Sequence, residues 1–218
     1  MMMDWHEVIR VAPPIRGVIH IGAHRAEERH HYLLVGITKI IWIEANPKLA
    51  SWLQTQVNEP VFNYAICDQD CAELAFHLST NDGESSSILW PKEHIWKHPG
   101  VGFGQTIIVP AITLDTLIAE QHIAVKDYNF INIDIQGAEL LALQGMATTL
   151  PHIDAIYAEI NFIEMYEGCG LVAELDAHLA GYGFQRRMTY DTGLGWGDAL
   201  YIKPKPPGGG SNLLRSIC

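Results

Sequence analysis

The 218-residue chain is 48% hydrophobic and 18% charged, and its 14 basic against 25 acidic residues give a formal net charge of −11. These figures exclude bulk disorder, and the length favours one domain, since a single α/β domain commonly reaches about 250 residues. An acidic balance without any block of like charge repels phosphate backbones and anionic surfaces, so neither nucleic acid nor membrane is an expected partner.

The first seven residues lack a basic segment followed by an apolar one, and no apolar run approaches the roughly 18 residues of a membrane span. The cysteines at 67, 71, 169 and 218 form no C-x-x-C pair, so reduced thiols in a cytoplasmic protein are expected. Residues 17–22 are a short β-rich run ending in Gly22, the first strand, and 26–35 carry helical composition with Tyr32, Leu33 and Val35. Residues 39–44 are a second strand ending in Glu44; Asn46-Pro47 then opens a helix that runs to about Val57. Pro60 precedes a third strand, 61–66.

Residues 68–110 break the alternation with a strand at 74–78, a polar stretch at 79–87, glycines at 100, 102 and 104, and a strand at 106–109. An insertion of this length in a compact domain is expected to serve as a substrate lid. Thr113 caps a further helix to about His122, residues 128–134 are the fourth strand, and 138–150 are helical until Pro151. A fifth strand at 153–159 and a helix at 171–181 follow. The strands at 184–190 and 198–203, joined by the glycine-rich turn 191–195, leave no room for a helix and predict an antiparallel hairpin. The expected organisation is one domain over 1–203 and a flexible tail over 204–218. Its expected fold is an α/β three-layer sandwich with a mostly parallel sheet.

Ligands of such sheets bind beyond the carboxyl ends of the strands. Gly22 permits close backbone approach, and Glu44, 22 residues later at a strand end, is placed to accept from ribose hydroxyls. Together they suggest an adenosine-type cofactor, although a full G-x-G-x-x-G is absent. Asp134, Glu159 and Asn161 fall at neighbouring strand ends, and Glu139 is either a first-turn dipole partner or a site residue. His94 and His98, four apart without a further ligand nearby, read as surface histidines of the insertion. Ser85, Ser86 and Ser87 form either a hydroxyl-rich rim or a plain loop, and Trp196 either walls an acceptor site or caps the core.

The run Ile131-Asn132-Ile133-Asp134-Ile135-Gln136-Gly137-Ala138-Glu139-Leu140, followed by Leu143-Gln144-Gly145, is similar to the hallmark of FkbM-type methyltransferases. So are Val18-Ile19-His20-Ile21-Gly22-Ala23-His24, Ile43-Glu44-Ala45-Asn46-Pro47, Glu159-Ile160-Asn161 and Gly195-Trp196-Gly197-Asp198-Ala199. The resemblance spans about residues 17–203. It implies a class I methyltransferase fold, Rossmann-like, with seven strands and an antiparallel C-terminal hairpin, using S-adenosylmethionine for O-methylation of a small-molecule or saccharide hydroxyl. It further implies that Gly22, Ala23 and His24 line the methionine moiety and that Glu44, with Ala45 beside it, binds the ribose. Asn63 and Ala65 would flank the adenine, and Asp134 would lie near the methionine or methyl group. Ala26 departs from the family pattern, standing where the loop often carries a second glycine.

A hydroxyl acceptor requires a base within hydrogen-bond reach. Asp134 is expected mainly to position, with His94 and Glu159 as base candidates and Ser86, Asn161 and Trp196 as substrate contacts. The oxygens of Asp134, Glu159 and Asn161 suit Mg²⁺ or Ca²⁺, but direct substrate contact or loop bracing is favoured and no metal is expected. Two other classes share parts of this pattern: an NAD-dependent oxidoreductase, which would also use Gly22 and Glu44, and a non-catalytic cofactor-binding module.

Overall fold

In this computed structural model residues 3–204 are described; the expected tail lies, apart from Pro204, outside the described residues. In chain order the elements are α1 (Trp5–Val11), β1 (Val18–Ile21), α2 (Arg29–Leu34), β2 (Ile40–Ile43), α3 (Pro47–Gln56), β3 (Val61–Phe62), β4 (Ala65–Ile66) and β5 (Cys71–Ser79). There follow α4 (Glu93–Lys97), β6 (Phe103–Ile112), α5 (Leu114–Glu120), β7 (Phe130–Ile133), α6 (Glu139–Gln144), β8 (Ala155–Asn161), α7 (Val172–Ala180), β9 (Gln185–Asp191) and β10 (Trp196–Ile202).

Seven strands form one sheet in the order β3-β2-β1-β7-β8-β10-β9, and only β10 runs against its neighbours. The apolar runs of β1, β2 and β7 are buried on both faces, as parallel strands flanked by helices must be. Alternation within each strand divides the core in two. Ile19, Ile21, Ile131, Ile133, Ile156 and Ile160 pack with Leu114, Leu143 and Leu175 of α5, α6 and α7. Val18, Ile40, Trp42, Phe130 and Leu200 pack with Trp5, Tyr32 and Leu53 of α1, α2 and α3. Each fully buried side chain of this size contributes about 1.5–3 kcal/mol of transfer free energy.

Toward the carboxyl ends of the strands the second face turns polar. His20, Asn132, Glu159 and Asn161 occupy alternation positions between the isoleucines of the first face, and each is buried. That is where the sheet stops being a core and becomes the floor of a cavity.

The predicted third strand is two strands in two sheets. Val61–Phe62 pairs with β2, whereas Ala65–Ile66 pairs with β6. The break falls at Asn63, whose Nδ2 donates to the carbonyl oxygens of Glu44 (2.7 Å) and Ala45 (3.0 Å) and so pins the chain to the loop after β2. The insertion is correspondingly more regular than its glycines and serines predict. Its strands lengthen to β5 and β6, which pair antiparallel and form with β4 a second sheet in the order β4-β6-β5. Phe76, Val109 and Ala111 bury its inner face against Ala45 and Leu141.

Candidate active site

Two cavities open at the carboxyl ends of the central strands and share Gly22, His24, Glu84, Asp134 and Gln136 in their walls. The wide one, about 450 Å³, lies over the polar face of β7, β8 and β10. The narrow one, about 60 Å³, runs past Glu44 between Ile43, Ala65 and Phe76 on one side and Ile135 and Ala138 on the other. The insertion's 83–88 segment contributes Gly83, Ser86 and Ile88 to its wall.

The first loop is held by close approach. Gly22 has φ +86°, and a β-carbon there would lie 1.8 Å from the carbonyl oxygen of Asp134. His24 and Ala26 also take left-handed conformations, at φ 44° and 57°, so Ala26 adopts at some strain the backbone that a glycine would accept freely. Glu44 organises this loop: Oε2 accepts from the His24 backbone N–H at 2.7 Å and Oε1 from that of Asn46 at 2.7 Å. Burial raises its pKa, against the lowering effect of those bonds. Each oxygen retains a further lone pair for a hydroxyl donor from the narrow cavity.

Among the other expected cofactor residues, Ala45 and Ala65 line the narrow cavity, with Tyr64 and Ile66 beside them. Ala23 lines neither cavity; it is buried in the core with Tyr32 and Trp42. Asn63 also lines neither, and braces the loop from behind. Ser86 lines the narrow cavity rather than the wide one, with its Oγ bonded to the backbone N–H and the Oγ of Ser79.

Asp134 and Glu159 line the wide cavity, and Glu139 stands behind them without lining it. Asp134, Glu139 and Glu159 offer oxygens within 4.8 Å of one another. Gln136 Nε2 donates to Asp134 Oδ1 at 2.7 Å and to Glu159 Oε2 at 2.8 Å. Glu139 Oε1 accepts from the backbone N–H groups of Ile135 (2.9 Å) and Gly137 (3.2 Å), bracing the turn that presents Asp134. Burial raises the pKa of all three, carrying Glu139 to about 7 with the charge of Asp134 as the next cause. For Glu159 the charges of Asp134, Glu139 and Asp198 add to burial. Among the described residues no lysine or arginine lines either cavity.

His94 corrects the surface reading. It is 4% exposed, with Nε2 3.1 Å from Ser85 Oγ and Nδ1 buried without a partner among the described residues. Burial, and secondarily His98, lowers its pKa to about 4. Its ring lies 5.4 Å from that of Tyr166, whose hydroxyl is 3.0 Å from the Ser85 carbonyl oxygen and 2.9 Å from Gln136 Oε1. Asn161 and Trp196 face each other in the β8–β10 ladder and line the same cavity. The Asn161 amide and Trp196 Nε1 are buried without hydrogen-bond partners among the described residues. A polar atom left this way costs about 1–3 kcal/mol, which a bound ligand can recover.

Gln136, Glu139 and Glu28 also belong to the surroundings of the site. Gln136 carried no signal beyond its place in the 131–140 run, and Glu139 was undecided between two roles. Glu28 lies on the cavity wall with its carboxylate 3.9 Å from His20 Nε2; only the packing of α2 over β1 brings them together.

Comparison with known proteins fits this geometry. The model of the methyltransferase FkbM domain matches residues 20–186. The 2-O-methyltransferase NoeI of Sinorhizobium fredii (strain NBRC 101917 / NGR234) is 28% identical over 162 residues, 69% of this chain. The chain spans 65% of that relative's length. Among solved structures, magnesium protoporphyrin IX methyltransferase (ChlM) from Synechocystis PCC 6803 with bound SAM superposes with a TM-score of 0.50 at 8% identity, covering 92% of this chain and 76% of that one. M. capricolum TrmK in complex with S-adenosyl-homocysteine gives 0.52 at 9% identity, covering 94% and 70%. What these two share with the chain is the fold, that of class I methyltransferases.

Proposed function

The chain belongs to the FkbM methyltransferase domain family, and from that premise we propose that it transfers a methyl group from S-adenosylmethionine to a hydroxyl oxygen of a small-molecule or saccharide acceptor. The observation that carries this reading is Glu44. Its buried carboxylate ends the strand beside β1 and lines the narrow cavity, where ribose hydroxyls can donate to it. The adenine then takes the apolar slot of Tyr64, Ala65, Phe76 and Ile135, and the methionine moiety passes Gly22 and His24 toward the wide cavity. The 2-O-methyl specificity in the name of the Sinorhizobium relative supports oxygen as the acceptor atom.

The residues then divide the chemistry. Holding nucleophile and methyl carbon in a near-attack pair supplies about 7–11 kcal/mol of the barrier, and Asp134, in the wall shared by both cavities, positions that junction. A hydroxyl near Asn161 and Trp196 gives its proton to His94 Nδ1, neutral because burial depresses its pKa. Its oxygen lone pair forms the new C–O bond, the C–S bond breaks, and the electron pair stays on the sulfur of S-adenosylhomocysteine.

The wall carboxylates, with no lysine or arginine lining the cavity among the described residues, repel phosphate groups. Nucleic acid is therefore not the proposed acceptor. The insertion acts as the lid, latched to the first loop through His24 Nε2 and the Asp82 carbonyl oxygen (3.2 Å) and the Arg25–Asp82 ion pair (3.5 Å). The free thiols of Cys67, Cys71 and Cys169 fit a reducing, cytoplasmic setting, and no helix of the described residues is long and apolar enough to cross a membrane.

Titration calorimetry with S-adenosylmethionine and, separately, with NAD tests the reading. The expected result is binding of the first and not the second; failure to bind S-adenosylmethionine overturns it, and binding of NAD alone restores the oxidoreductase alternative.

A further inference from the structure

We infer that Asp134, Glu159 and Asn161 form a divalent-cation site in the floor of the wide cavity, for a hard ion such as Mg²⁺ or Mn²⁺. The sequence favours substrate contact for the last two; their surroundings favour a metal.

Charge is the first argument. Asp134, Glu139 and Glu159 bring carboxylate oxygens within 4.8 Å of one another, two of the three side chains fully buried. Asp198 stands opposite Glu159 in the β8–β10 ladder and lines the same cavity. Gln136 Nε2 satisfies one lone pair on Asp134 and one on Glu159, but an uncharged amide cancels none of their charge. The one wall imidazole whose pKa is raised, His24, is engaged by Glu27, and among the described residues the cavity wall offers no lysine or arginine. Removing such charges from water costs several kcal/mol per ion unless an opposite charge accompanies them.

Asn161 is the second and independent argument. The residue is 0% exposed, and both amide atoms lack a partner among the described residues. It lies two residues beyond Glu159 on β8, on the same strand face, and lines the same cavity. The buried amide oxygen of Asn161, on the same strand face as Glu159, can accept from a donor or coordinate a cation, and a cation, unlike a neutral donor, also answers the charge. Two carboxylates, one amide oxygen and waters form the oxygen donor set that Mg²⁺ prefers, since it keeps part of its hydration shell. Glu139 is not counted among the ligands, because Oε1 is committed to two backbone N–H groups; it braces the turn and adds to the field.

The site lies where the two cavities meet, because Asp134 lines both. A cation held there takes the acceptor hydroxyl oxygen as a further ligand and lowers the pKa of that hydroxyl, easing loss of its proton to His94.

The test is titration of the whole chain, free of methyl donor, with Mn²⁺ monitored by electron paramagnetic resonance. One Mn²⁺ per chain is expected, at or below about 10⁻³ M, the weak end for oxygen-ligand sites, and Mg²⁺ should displace it. Glu159→Gln and Asn161→Leu should each weaken binding about tenfold or more, while Asn161→Asp, which keeps an oxygen ligand, should bind at least as well as the parent. Glu120→Gln, on the exposed end of α5, should change nothing. Thermal melts of each variant separate lost binding from lost folding. Absence of stoichiometric Mn²⁺ from the parent overturns the site, as does binding that survives both Glu159→Gln and Asn161→Leu; weaker binding by folded Asn161→Asp also counts against it. No methyl donor is used, so this outcome and that of the S-adenosylmethionine titration are read separately.

Discussion

Gly22 presses against the backbone of Asp134 so closely that any β-carbon at position 22 would sit 1.8 Å from the Asp134 carbonyl oxygen. The Asp134 N–H in turn donates to Ile21 O at 3.0 Å, so the loops after β1 and β7 are joined by contact and by hydrogen bond where the two cavities meet. Gly22→Ala should therefore separate these loops. We expect a clearly lower melting temperature and loss of S-adenosylmethionine binding, since the side chain meets both backbone and a left-handed φ, the latter alone costing about 1–3 kcal/mol. Calorimetric titration and thermal melts check it; unchanged values would mean that the loops can part freely.

Glu44 holds two backbone N–H groups besides facing the narrow cavity. Glu44→Ala should weaken cofactor affinity and also lower stability, because each buried N–H left without a partner costs about 1–3 kcal/mol. Glu44→Gln retains an acceptor oxygen and should melt closer to the parent while still binding more weakly. A Glu44→Ala variant with parental affinity for S-adenosylhomocysteine would remove the ribose assignment.

His24 faces acceptors from both ring nitrogens, Glu27 Oε1 at 2.9 Å and the Asp82 carbonyl oxygen at 3.2 Å. Its pKa rises from 6.5 to about 8, chiefly through the Glu27 hydrogen bond. A pKa raised in the folded state means stability that is fully present below pH 6.5 and lost as pH climbs through about 8. Allowing for partial solvent exposure, the loss should be about 1 kcal/mol. Urea unfolding at pH 6 and pH 9 on the parent and on His24→Gln should show the drop in the parent and a smaller one in the variant.

His94 should act in turnover more than in folding. His94→Gln is expected to reduce kcat about 10²- to 10⁴-fold, the span of general base catalysis. With its pKa near 4, the parent's kcat should hold as pH falls to about 5 and decline only toward 4, where the imidazole takes up a proton. Single-turnover rates over that range check it, and a decline centred near pH 6.5 would point to another base.

Much of the architecture can be read from the chain. The apolar runs of β1, β2 and β7, the capping Asn46 and Thr113 and the turn at 191–195 all encode themselves locally, so the sheet's parallel body and its antiparallel hairpin follow from residue order. Gly22 and Glu44 could be named as site residues for the same reason, since each is defined by its place at a strand end.

Other features depend on partners far along the chain. The run 61–66 reads as one strand, and only the bonds from Asn63 to the loop after β2 divide it between two sheets. His94 reads as a surface residue until Tyr166, 72 positions later, closes over it. The carboxyl cluster exists because β7 pairs with β8 and β8 with β10, which sets Asp134, Glu159 and Asp198 side by side. Sequence determined which residues are buried in which periodicity, because burial acts on neighbours along a strand. Tertiary structure decided which charges face one another, because strand order and the fold of the insertion are settled by contacts that no local pattern contains.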